Sequence, residues 1–210
     1  MWACCINLGK VFVVDVSDKT NPITITNWST PNSFTHNAWI SDDGNYIFTT
    51  DERSNAYISA YDVSDLSNIK LLDRIQSNPG SGSIPHNTHV DGNFLVTSYY
   101  RDGTTVHDIT FPENMVQVAY YDSYSGKGKG FDGCWGTYPF LPSGNIISSD
   151  RNSVEGGFGT AKLLIYQRNF KQACHLQGIV TDGYTSDIIT NATISILDDT
   201  LNENTNLLGF

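Results

Sequence analysis

The chain has 210 residues, 39% of them hydrophobic, enough apolar material for a packed core in one large or two small domains and too much for a disordered polymer. Its formal net charge is −10, and the only basic stretch, residues 126–130, is two lysines in a glycine loop that reads as a connector. Nucleic acid is excluded as a partner because no cationic cluster exists to displace counterions from phosphates, and no apolar run approaches the roughly 20 residues of a transmembrane segment.

From the N-terminus, residues 1–6 lack the basic region and long apolar stretch by which a signal peptide is recognised. Residues 10–16 are β-rich, 17–22 turn, and 23–26 alternate, so the first elements are two strands of a unit whose beginning is missing. The next unit offers strands at 36–41, 46–50, 56–63 and 69–75, and a further one at 86–90, 94–98, 105–109 and 116–121. A last unit begins at Trp135, continues through 146–149 and reaches 162–166 after a glycine-rich insertion at 155–160. No convincing amphipathic helix interrupts them.

Two phrases recur and set the period. Asp43-Gly44-Asn45, Asp91-Gly92-Asn93 and Ser143-Gly144-Asn145 place residues that accept positive φ between two apolar runs, as tight hairpins require. Asp15-Val16-Ser17, Asp62-Val63-Ser64 and Asp108-Ile109-Thr110, each with an Asn six residues after the Asp, recur at steps of 47 and 46 residues. Their Asp and hydroxyl side chains suit turns, because they bond back to the following amides. Four-stranded antiparallel units at this period are blades of a β-propeller. The expected fold class is therefore all-β, a partial propeller of about three and a half blades over 1–170 that reads as the later part of a longer ring. Over 171–210 the composition shifts, and 176–183 with 188–196 read as the first strands of a small β-sandwich that Gly209-Phe210 ends before completion.

Three phrases together carry a resemblance: Thr35-His36 through Trp39 to Asp51-Glu52, then Tyr99-Tyr100-Arg101-Asp102-Gly103, then residues 135–145 from Trp135-Gly136-Thr137-Tyr138 to Gly144-Asn145. In this order they resemble the propeller of the choice-of-anchor B family, also described as LVIVD-repeat proteins, over roughly residues 10–166. The chain departs from that family in Arg53-Ser54 after Asp51-Glu52 and in the Gly156-Gly157-Phe158-Gly159 insertion. From Leu176, with Gly178, Val180 and Asp182, the tail resembles the opening of a carboxypeptidase regulatory-like domain. The resemblance implies a bacterial protein, extracellular or at the cell surface, anchored through a C-terminal region, with a protein or glycan ligand and no established reaction.

The residues that bear chemistry are His36 and His86, which open equivalent strands, with His89 nearby and with Asp51, Glu52 and Asp150 at the ends of second strands. Imidazoles and carboxylates brought together build a metal or acid–base site. Trp39, Arg101, Trp135 and Tyr138 join them as expected channel-side binding residues. The third copy has Trp135-Gly136 in place of His-Asn, so the histidines are expected to tie blade to blade, with no catalytic residue. Asp42-Asp43-Gly44-Asn45 lacks the spacing of an EF-hand, and Cys4, Cys5, Cys134 and Cys174 match no zinc pattern, a Cys134–Cys174 disulfide being left open. The resulting expectation is a non-catalytic binding or scaffold module. The alternative is a hydrolase or lyase with an axial metal and His, Asp and Glu as acid and base. No cofactor is expected beyond a structural or axial ion such as calcium, which the residues leave open.

Overall fold

The structure is a computed structural model; it describes residues 1–126, 128–175 and 178–195 and the backbone of 202–204. The chain divides into two compact units, Met1–Ala173 and Cys174–Phe210. The first holds four antiparallel sheets in chain order. They are β1 (Trp2–Cys5), β2 (Lys10–Asp15) and β3 (Ile23–Ser29); β4 (Thr35–Ile40), β5 (Tyr46–Asp51), β6 (Ile58–Asp62) and β7 (Lys70–Ile75); β8 (Thr88–Asp91), β9 (Phe94–Ser98), β10 (Thr104–Asp108) and β11 (Val116–Tyr121); and β12 (Cys134–Tyr138), β13 (Ile146–Asp150) and β14 (Lys162–Tyr166). Each strand pairs with its predecessor, so every sheet is a meander, a blade of the expected partial propeller. Among the described residues helix is confined to a single 3-10 turn at Ile6–Leu8, and none is long and apolar enough to cross a membrane.

The repeated phrases do what their chemistry requires. Gly44, Gly92 and Gly144 sit in the β4–β5, β8–β9 and β12–β13 turns at φ of 75°, 58° and 77°. The side chains of Asp15, Asp62 and Asp108 accept the amides of Ser17, Ser64 and Thr110 at 2.8, 2.9 and 2.8 Å. Each bond converts a strand end into a turn without leaving a backbone donor unpaired.

Packing lies between blades. Consecutive strand residues face opposite ways, so Ile47 joins Tyr61 and Val63 with Trp2 and Trp28 of the first blade, whereas Phe48 joins Val90 and Leu95 of the third. One blade further on, Val96 turns away from Leu95 to meet Val106 and Ile146. Apart from the half-buried Trp2 and Trp28, these side chains are fully or almost fully buried, each stabilising the packed state by roughly 1.5–3 kcal/mol.

Two readings of the sequence need adjustment. Trp2–Cys5, which carried no clear signal, is a strand, because it pairs with β2 in register from Trp2↔Val13 to Cys5↔Lys10. Among the described residues of the second unit, the strands expected at 176–183 and 188–196 are represented by a Thr181↔Ile188 bridge and β15 (Thr193–Ser195), which pairs with β16 (Asn202–Asn204). Nearly all described side chains there are exposed and offer no apolar face to pack. Leu176, Gln177, Ile196 and Gly209-Phe210, like Lys127 of the basic stretch, lie outside the described residues. All four cysteines are free thiols.

Candidate functional site

The site is built from one irregularity repeated in three successive blades. In the second blade Thr35 opposes Asp51 and Asn37 opposes Thr50, which leaves His36 as an extra, bulged residue. In the fourth, Cys134 opposes Asp150 and Gly136 opposes Ser149, which bulges Trp135. In the third, the His86 amide donates to the Ser98 carbonyl at 2.9 Å while the Ser98 amide donates to the Asn87 carbonyl at 2.9 Å, so two residues again face one. A bulge re-aims the side chain it carries. Here it stacks three rings in sequence, with His36 on His86 at 4.4 Å between centroids and His86 on Trp135 at 5.6 Å, interplanar angles 28° and 26°.

Glu52 completes the cluster. Its carboxylate lies 3.7 Å from His36 Nε2 and 3.5 Å from His86 Nε2, and Tyr100 donates its hydroxyl to Glu52 Oε1 at 2.6 Å. The ligand atoms of His36, Glu52 and His86 all fall within 4.8 Å of one another. His86 Nδ1 is 2.5 Å from the Trp135 carbonyl oxygen, which only accepts, so the ring proton sits on Nδ1 and Nε2 keeps its lone pair. Thr50 of the neighbouring blade hydrogen-bonds the His86 carbonyl and fixes the loop. Burial, then the neighbouring His36, holds the His86 pKa below its ordinary value, against the opposing pull of the Trp135 carbonyl and Glu52. His86 is thus a neutral imidazole at pH 7.

Three residues beyond each bulge lies a second tier, Trp39, His89 and Tyr138. Trp39 is 4.6 Å from His89 and 5.6 Å from Phe140, and Phe140 is 5.4 Å from Tyr138. Burial depresses the His89 pKa as well. Of the residues expected at the channel, His36, Glu52, His86 and Trp135 are brought together, and Trp39, His89 and Tyr138 form the adjacent aromatic wall. Three are placed elsewhere. Asp51 is buried and accepts Thr30 Oγ1 at 2.5 Å and the amides of Asn32 and Phe34 at 2.9 Å. Asp150 is likewise buried under Ser123 and the Asn152 amide. Arg101 pairs with Asp132 at 2.5 Å and lies over the Tyr124 ring at 4.8 Å. Tyr100 is not among the expected channel residues, although it stands eight residues after Gly92 as Glu52 stands eight after Gly44.

No protein-family model matches the chain, and no curated protein matches it. Among solved structures it is similar to a Lactobacillus plantarum protein (TM-score 0.61, 16% identity, covering 79% of this chain and 48% of that one). It is also similar to the periplasmic gluconolactonase of Pseudomonas aeruginosa (TM-score 0.55, 14% identity, covering 79% of this chain and 53% of that one). The chain thus spans about half the length of the solved structures it matches, and at these identities the likeness establishes the fold. The comparisons correct the resemblance to the choice-of-anchor B (LVIVD-repeat) family and to the carboxypeptidase regulatory-like domain, neither of which any family model supports. The physical reason is that the phrases carrying it are largely hairpin glycines, turn-bonding aspartates and bulges, which any propeller blade needs. The expectation of a non-catalytic scaffold is corrected too, since a neighbour with a named activity is an enzyme; the side chains of His36, Glu52 and His86 meet in a cluster whose nitrogen and oxygen atoms lie within 4.8 Å of one another.

Proposed function

We propose that the protein is a hydrolase of the lactonase type, which opens a small cyclic ester at the inner-strand rim using a divalent ion held by His36, Glu52 and His86. The observation that carries this is the approach of two imidazoles and one carboxylate to within 4.8 Å. Two histidines and a glutamate are a donor set of catalytic metal sites that leave further positions open to water and substrate. The set fits such an ion on a second count. The Trp135 carbonyl holds the His86 proton on Nδ1, the outer hydrogen bond by which a ligating imidazole is oriented. The gluconolactonase neighbour supports the choice of a lactone among hydrolysable substrates.

When bound, the ion would supply Lewis-acid polarisation of the ester carbonyl. The chain's own residues do the rest. Tyr100 fixes the Glu52 carboxylate by its hydroxyl, and Thr50 fixes the bulge that presents His86. The ring of Trp135, 53% exposed, offers a flat face beside the cluster on which a sugar-derived ring can rest. In the reaction water adds to the ester carbon, the ring C–O bond breaks, and the freed alkoxide takes the proton the water gives up.

The test is ring opening of glucono-δ-lactone by the complete protein, followed by proton release, with metal content measured in parallel. Substituting Glu52→Gln or His86→Gln should lower turnover at least 100-fold and reduce bound metal. Wild-type turnover in both variants would overturn the reading.

A further inference from the structure

We infer that the protein carries a second cation site, suited to a hard divalent ion of the calcium type, in the cleft between the outer parts of the second and third blades. Asp102 and Asp122 meet Ser77, Asn78, Thr105 and Gln117 there, around a cavity of about 310 Å³. The fold makes this meeting compulsory. Gly103, in the β9–β10 turn at φ 78°, comes so close to the end of β11 that a Cβ on it would stand 2.0 Å from the Tyr121 carbonyl oxygen and 2.7 Å from Asp122 Cα. That close approach sets Asp102 against Asp122. From the second blade, the segment after β7 brings Ser77, whose hydroxyl hydrogen-bonds Asp102 Oδ2.

Two carboxylates alone would be an ordinary acidic surface, but the wall behind them is not ordinary. Thr105 is fully buried and its Oγ1 has no hydrogen-bond partner, and Gln117 Oε1 is likewise buried and unpartnered. Buried polar atoms are almost always satisfied, so these two oxygens, lining the cleft of Asp102 and Asp122, call for a ligand that accepts lone pairs. Burial pushes the Asp102 carboxyl above its usual range, opposed by Ser77 and Ser83 and reinforced by Asp122. Burial raises Asp122 too, opposed by the Tyr124 amide and reinforced by Asp150. Arg101, which lines the adjoining cavity, is committed to Asp132 at 2.5 Å and Glu155 at 3.6 Å. Carboxylate, amide and hydroxyl oxygens without nitrogen or sulfur are the donors that calcium takes. Bound there, the ion would clamp the β9–β10 turn, β11 and the segment after β7, independently of the His36–Glu52–His86 cluster.

The experiment uses the whole protein stripped with chelator. Calcium and, separately, magnesium are titrated while the melting temperature is followed, and terbium luminescence sensitised by Tyr120, which lines the cleft, reports direct occupancy. Calcium should raise the melting temperature and displace terbium. In the Asp102→Asn/Asp122→Asn double variant both effects should vanish, while the metal content of a His86→Gln comparison changes separately. An equal calcium shift in the double variant, or terbium luminescence no stronger in the wild type than in that variant, would overturn the site. Should the double variant fail to fold, Thr105→Val leaves both carboxylates in place and is read instead. A roughly tenfold weaker calcium affinity is the expected result, and an unchanged affinity overturns the proposal.

Discussion

Tyr100 hydrogen-bonds Glu52 across the boundary between two blades, hydroxyl to Oε1 at 2.6 Å, from equivalent positions beyond the second strands. Tyr100 adopts a positive φ of 36°, uncommon for a bulky residue. Its backbone is locked there because a Cβ on Gly133 would stand 2.4 Å from the Tyr100 carbonyl oxygen, which accepts the Cys134 amide at 2.8 Å. Strain held by surrounding structure is characteristic of sites that position a group. Tyr100→Phe keeps the ring and removes only the hydroxyl, so lactone turnover should fall about 10- to 100-fold with a stability loss of about 1 kcal/mol. Steady-state kinetics and a melt on the same preparation check this; unchanged kinetics would leave Glu52 oriented by other means.

Asp51, the last residue of β5, and Glu52, the first beyond it, are adjacent yet have opposite fates, because successive residues of an extended chain face opposite sides. Asp51, 1% exposed, holds the 30–34 loop with three hydrogen bonds. Asp51→Ala should destabilise the protein by about 3 kcal/mol, the cost of leaving buried donors unsatisfied, and should leave metal content per folded molecule unchanged. Denaturant unfolding and metal analysis separate it from Glu52→Gln, for which the reverse pattern is expected.

This pair marks how far the sequence is legible. Turns announce themselves through local chemistry, so Gly44, Gly92, Gly144 and the three turn aspartates could be placed by inspection, and the blades followed from their period. Which carboxylate faces the cluster depends on strand facing and on a bulge. Counting back from the hairpin glycines, the bulged residues stand at eight, six and nine positions, His36, His86 and Trp135. Their equivalence is legible despite that irregular spacing, but a missing imidazole at Trp135 reads as a loss of chemistry, whereas the Trp135 backbone carbonyl is what orients the His86 ring. Arg101 and Asp150 were read as channel residues because of their place in the repeat, whereas their partners Asp132 and Ser123 come from the irregular 122–133 connection, which carries no periodic signal.

His107 gives a pH dependence. It is fully buried on β10, neither ring nitrogen has a hydrogen-bond partner, and burial lowers its pKa from 6.5 to about 4. The folded state therefore favours the neutral ring. Above pH 6.5 that preference contributes its full stability, and as pH falls from 6.5 through 4 the unfolded chain takes up the proton first and stability is lost, by roughly 3 kcal/mol at the limit. In urea unfolding at pH 7 and pH 4.5, the wild type should lose markedly more stability between the two than His107→Leu. Equal losses would show that other groups govern the acid limb.

Trp135 contributes through two different atoms, which a single substitution can separate. Its backbone carbonyl receives the His86 proton, and its indole, half exposed, stacks on the His86 ring. Trp135→Ala leaves the carbonyl, so the tautomer of His86 and the metal content should persist, while the flat face for the substrate ring is removed. A contact made equally in the ground and transition states lowers KM without changing kcat when present. The expected outcome is therefore a KM raised about 10-fold, corresponding to about 1.4 kcal/mol, with kcat within about twofold of the wild type. Should kcat collapse together with metal content, the indole would be holding His86 in place, and the stack would belong to the metal site and not to the substrate.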